Sequence, residues 1–109
     1  MRFESSKFVA RLLSSSAVQL NIPHLMKVVV KDINRNHDPS VVELRVFVPQ
    51  GRNDPIVLLD WTPASKASEV YSLPVTLQHT EKVASIVEAR LVHNNEYILL
   101  EDVMTINLK

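Results

Sequence analysis

Four histidines, His24, His37, His79 and His93, are the side chains of this sequence best suited to chemistry. Imidazole suits zinc or copper, and a catalytic zinc site takes three protein ligands. All four histidines fall in or beside segments of turn composition, and turns can gather at one end of a β-domain. No two of them have the i,i+2 spacing of one strand face or the i,i+4 spacing of one helix face. The spacing therefore predicts solvated loop histidines, with a Zn or Cu site built from two or three of them as the alternative. His37 and Asp38 come nearest to an oriented base, but neighbours in an extended chain point to opposite sides.

Serine, histidine and aspartate are all present, yet nothing in their spacing brings a Ser-His-Asp set together, and such a set is defined by geometry. The single glycine, Gly51, cannot supply a G-x-S-x-G elbow, a dinucleotide fingerprint or a P-loop. The absence of cysteine excludes disulfides, a thiolate nucleophile, an Fe–S cluster and a Cys-type zinc site within this chain. These residues predict no catalytic site, no cofactor and no enzyme.

A second kind of chemistry is more regular. Glu43 and Arg45 repeat the spacing of Glu88 and Arg90. On neighbouring antiparallel strands the two pairs would cross-match on one sheet face. Two readings follow: a solvated face with surface ion pairs of small value, or a charged docking face. Phe47 shares the face of Glu43 and Arg45, and an aromatic beside arginine is a good interface anchor. It is either covered by the N-terminal segment, whose Phe3 and Phe8 also need burial, or it meets another chain.

The element that must position these residues is Val41–Val48. Val42, Leu44, Val46 and Val48 alternate with Glu43, Arg45 and Phe47, the period of a half-buried strand. Ala17–Ile22 alternates in the same way. Val28, Val29 and Val30 form a short β-branched run that suits a strand covered on both sides. Ile56–Trp61 is a further strand, with Trp61 available for the centre of the core, and Thr62–Ser68 reads as a loop. In Glu69–Leu77, Pro74 cannot donate to a ladder, so this strand belongs at an edge or carries a bulge. Val83–His93 and the following segment read as a hairpin about Asn94-Asn95, since asparagine tolerates positive φ. Val103, Thr105 and Asn107 then oppose Met104, Ile106 and Leu108. Polar turns recur every 10–12 residues or so, as in sandwiches.

The expected fold is all-β: a seven- to eight-stranded antiparallel β-sandwich, Ig-like or fibronectin-like, with a small β-barrel as the alternative. Residues 1–16 read as an N-terminal arm or first element and 17–109 as the sandwich domain. Arg2, Lys7, Arg11 and the serines also match a mitochondrial targeting segment, against which Glu4 counts. An intracellular setting is favoured, with the mitochondrion as the specific possibility.

The 109 residues make one domain, and 46% hydrophobic residues are enough for a core. Twelve basic and twelve acidic residues cancel, which removes the simple electrostatic argument for nucleic acid or an anionic membrane. No apolar run is long enough to insert as a transmembrane helix. The final strand, Val103 to Leu108, has no edge-blocking charge and could take a partner strand. The sequence therefore predicts a non-catalytic interaction or structural module. It would act as a homo-oligomer or as a subunit of a larger assembly, with a protein or itself as partner. Phe47, Glu43, Arg45, Val103 and Thr105 are its interface candidates.

Overall fold

The computed structural model describes residues 8–32, 41–93, 96–100 and 104–109. Among these, ten strands form two sheets: β1 Phe8–Leu12, β2 Ala17–Val18, β3 His24–Asp32, β4 Val41–Gln50, β5 Asn53–Pro63, β6 Ser65–Ala67, β7 Val70–Val75, β8 Ala84–His93, β9 Glu96–Leu99 and β10 Met104–Leu108. One sheet has the order β1-β3-β7-β6, the other β2-β10-β8-β4-β5, with β9 also on β8. The all-β expectation holds. One pairing departs from the antiparallel expectation, since β2 runs parallel to β10.

Period-two alternation builds the core. Val42, Leu44, Val46 and Val48 of β4 are buried, and so are Val87, Ala89 and Leu91 of β8 and Met104, Ile106 and Leu108 of β10. The other sheet contributes Ala10, Met26, Val28, Val30, Tyr71, Leu73 and Val75. Val29 departs from the expected cover on both sides; it lies half-buried on the outer face, opposite Val70. Ser85 is the one polar residue among the buried side chains, and its hydroxyl has no hydrogen-bond partner among the described residues.

Several boundaries differ from the sequence reading, each for a local reason. The strand expected over Ala17–Ile22 ends at Val18, because Asn21 adopts a φ of 64° and its N–H turns to the carbonyl of Leu77 at 2.8 Å. β4 and β5 join through a tight turn: Gly51 takes a φ of 62°, and Gln50 pairs with Asn53. Thr62 and Pro63 complete β5, and Ser65–Ala67 forms β6, where a loop was expected. Pro74 sits as predicted: β6 pairs with β7 only from Val70 to Ser72, which leaves the Pro74 side of β7 at an edge. The hairpin β8–β9 forms in the expected register, with His93 opposite Glu96.

Candidate functional site: an arginine and aromatic sheet face

The centre of the six-stranded sheet is β8, paired with β4 over most of its length. The register sets Glu43 opposite Arg90 and Arg45 opposite Glu88. Directly opposed residues on antiparallel strands share a face, so the two charge pairs cross-match as the sequence spacing requires. Arg90 Nε donates to Glu43 Oε1 at 2.7 Å. Arg45 donates twice to Glu88 Oε1, from Nε at 3.0 Å and from Nη2. The four side chains are 17–26% exposed, which makes these stronger than fully solvated pairs.

Aromatic rings extend the lattice. The Arg45 guanidinium lies 4.8 Å from the Phe47 ring centroid and 5.1 Å from that of Trp61. Arg90 lies 4.2 Å from Trp61 and 4.0 Å from Tyr97. All four separations are within cation–π range. The result is one stack, Phe47–Arg45–Trp61–Arg90–Tyr97, drawn from β4, β5, β8 and β9. The glutamates hold the guanidinium edges while the rings cover their faces.

Trp61 is the member the sequence reading misplaced. It is half-buried on the outer face, and among the described residues Tyr71 is the fully buried aromatic of the core. The cause lies in β5, whose register against β4 shifts between Leu44 and Val46, between Val46 and Phe47, and between Val48 and Gln50. Such irregularities re-aim side chains. Asp60 secures the neighbourhood: its Oδ1 accepts from the Trp61 N–H, and its carbonyl accepts from Thr62 Oγ1, both at 2.8 Å.

Around the stack the face is apolar. Val41 is exposed, as are Val57 opposite Phe47, Tyr97, and Leu99 opposite Arg90. Tyr97 is the most open of these at 63%. Thr105 points outward and is exposed on β10, opposite Ile86. Of the predicted interface residues, the structure therefore joins Glu43, Arg45 and Phe47 in one stack and sets Thr105 two strands from β4 on the same sheet. Val103 lies outside the described residues. Tyr97 joins the stack only through the hairpin register, and Trp61 only through the shifts of β5.

The histidines are divided. His24 opens β3 opposite Val75, and half-buried His79 lies just beyond that strand end; the Nε2 of His24 is buried without a hydrogen bond among the described residues. His37 and the side chain of His93 lie outside the described residues. No group of three or more His, Cys, Asp or Glu that could hold a metal occurs among the described residues.

No protein-family model matches the chain, and no curated protein does. Solved structures do. A single-substitution form of the superoxide reductase (neelaredoxin) from Ignicoccus hospitalis superposes with a TM-score of 0.59 at 18% identity, covering 96% of this chain and 83% of that one. A second structure of the superoxide reductase from the same organism gives 0.57 at 16% identity, covering 93% of this chain and 80% of that one. A β-glucosidase from Listeria innocua in complex with gluconolactone gives 0.51 at 13% identity; 94% of this chain is covered, but only 16% of the larger enzyme.

This chain thus shares its fold with the superoxide reductases. That likeness corrects two expectations. The immunoglobulin-like assignment gives way to the superoxide reductase fold. The non-catalytic structural module gives way to a fold used by enzymes. Identity at this level concerns the fold and not the site. Superoxide reduction moves an electron and needs a redox centre, which a side-chain donor set would have to hold. The chain has no cysteine, and the described residues offer no cluster of metal donors, so among them such a centre does not fit.

Proposed function

We propose that the outer face of the six-stranded sheet is a docking surface with a protein as its partner. The observation that carries this reading is the stack Phe47–Arg45–Trp61–Arg90–Tyr97. Arginine, tryptophan and tyrosine are the residues that dominate binding hot spots. Here the two arginines are held in advance by the Glu43 and Glu88 ion pairs, so less of their ordering entropy remains to be lost on docking. The two arginines and two glutamates cancel in charge, and the surrounding Val41, Val57, Tyr97 and Leu99 are apolar. A matching partner presents a largely uncharged surface with apolar groups, and its affinity depends weakly on salt.

Native co-purification tests it. Tyr97→Asp and Val57→Asp each place a charge on the rim of the face without touching the core. Both variants are expected to stay folded and to lose a protein that co-purifies with the unaltered chain. Leu25→Asp, on the outer face of the other sheet, is expected to keep it. Equal recovery with all three variants overturns the assignment of the face.

A further inference from the structure

A second surface lies where the two sheets meet at their open edges. On the side away from β5, the six-stranded sheet ends at β10 and β2. β2 pairs with β10 at Asn107 and Leu108, so the edge of β10 before Asn107 has no strand partner among the described residues. The four-stranded sheet ends at β1, which pairs with β3 alone among the described residues. A groove of about 510 Å³ runs between these edges, with Ala10, Arg11 and Leu12 on one wall and Met104 and Thr105 on the other.

The direction of the backbone groups follows from the register. The N–H of Leu108 donates to Val83 at 3.0 Å, whereas that of Asn107 turns the other way and donates to Ser16 at 2.7 Å. Backbone groups alternate along a strand, so Thr105 presents its N–H and C=O to the groove. Just past β1, the N–H of Leu13 donates to the carbonyl of Lys27 on β3 at 2.8 Å. Val9 and Arg11 therefore face β3, and Ala10 and Leu12 present their backbone groups to the groove. Arg11 is exposed and forms no ion pair among the described residues.

We propose that this groove accepts an extended segment of another protein as an added strand. The segment bonds to Thr105 on one wall and to Ala10 and Leu12 on the other, and sets a carboxylate against Arg11. Strand addition takes affinity from main-chain bonds and specificity from side chains. The chain does the same to itself just beyond the groove, where β2 closes the edge of β10. A second folded copy would bring an edge already flanked by its own neighbour strand and would leave one wall unbonded; an extended segment bonds both. The charge of Arg11, which has no ion partner among the described residues, selects an acidic residue.

The test uses the full chain and a fluorescent heptapeptide of alternating valine and threonine carrying one aspartate. Two controls replace the aspartate by lysine or insert a central proline. By fluorescence anisotropy the aspartate peptide is expected to bind roughly tenfold tighter than the lysine peptide, and the proline peptide not at all. Arg11→Glu reverses the order of the first two. Thr105→Pro removes the N–H that faces the groove, leaves the bonds to β8 in place, and weakens binding roughly tenfold or more. Amide exchange at Ala10, Leu12 and Thr105 slows when the peptide binds. Failure of every peptide to bind, equal binding by Thr105→Pro, or an order unmoved by Arg11→Glu overturns the proposal. A dimer that Thr105→Pro dissolves places a second copy in the groove and overturns it as well.

Discussion

Arg45 and Arg11 are the same side chain in two regions of one molecule, and they are used in opposite ways. Arg45 lies against the rings of Phe47 and Trp61, with its nitrogens on Glu88. Arg11 stands on the wall of an open groove with no ion partner among the described residues. At the middle of the sheet, then, polarity is matched within the chain and becomes rigid. At the rim, charge and backbone bonds are left for something else to meet. A preformed flat surface suits a folded partner, and an unfinished edge suits an extended one.

The strongest way to break the contrast is to remove the middle of the stack. Trp61→Ala deletes the ring shared by both guanidinium groups and is expected to cost about 2–3 kcal/mol in urea denaturation. A cost near zero would mean that the stack contributes nothing to stability. Arg45→Ala is expected to cost about 1–2 kcal/mol, because it strands the partly buried Glu88 and uncovers two rings. In a double-mutant cycle, Arg45 and Glu88 should couple by about 0.5–1 kcal/mol, which full additivity would disprove.

Ser85 sharpens the comparison from the inside. Its buried hydroxyl has no hydrogen-bond partner among the described residues, so Ser85→Ala is expected to stabilise by about 1 kcal/mol and to raise Tm by roughly 5 °C. An unchanged or lower Tm would point to a hydrogen bond that the hydroxyl does make. The smallest effect is the most telling. Arg11→Ala should change stability by less than about 0.5 kcal/mol, since an exposed charge with no ion partner among the described residues holds little in place. A loss as large as that of Arg45→Ala would erase the distinction between the two regions.

How much of this was legible depended on distance along the chain and on regularity. The cross-match of Glu43 and Arg45 with Arg90 and Glu88 could be read directly, because period-two strands put identical spacings in register once the strands are neighbours. The inward sets of β4, β8 and β10 followed from the same period. Trp61 could not be read, because Ile56-Val57-Leu58-Leu59 shows no alternation and three register shifts turn β5 against β4. Tyr97 required the hairpin register as well as its strand. The groove was least accessible of all, since its walls come from opposite ends of the chain and from different sheets. Only Thr105 and the unblocked last strand hinted at it. The superoxide reductase fold left no motif in the sequence, consistent with identities of 18% or less in the structures that share it.

The recognition face is tested most directly by photo-crosslinking from two positions of the full chain in its native cell. A photoreactive residue at position 57 lies on the rim of the arginine and aromatic face, and one at position 25 is comparably exposed on the outer face of the other sheet. A working face at the stack predicts a discrete protein adduct from position 57, absent from position 25 and lost with Tyr97→Asp. The same adduct from both positions, or none from position 57, would contradict it.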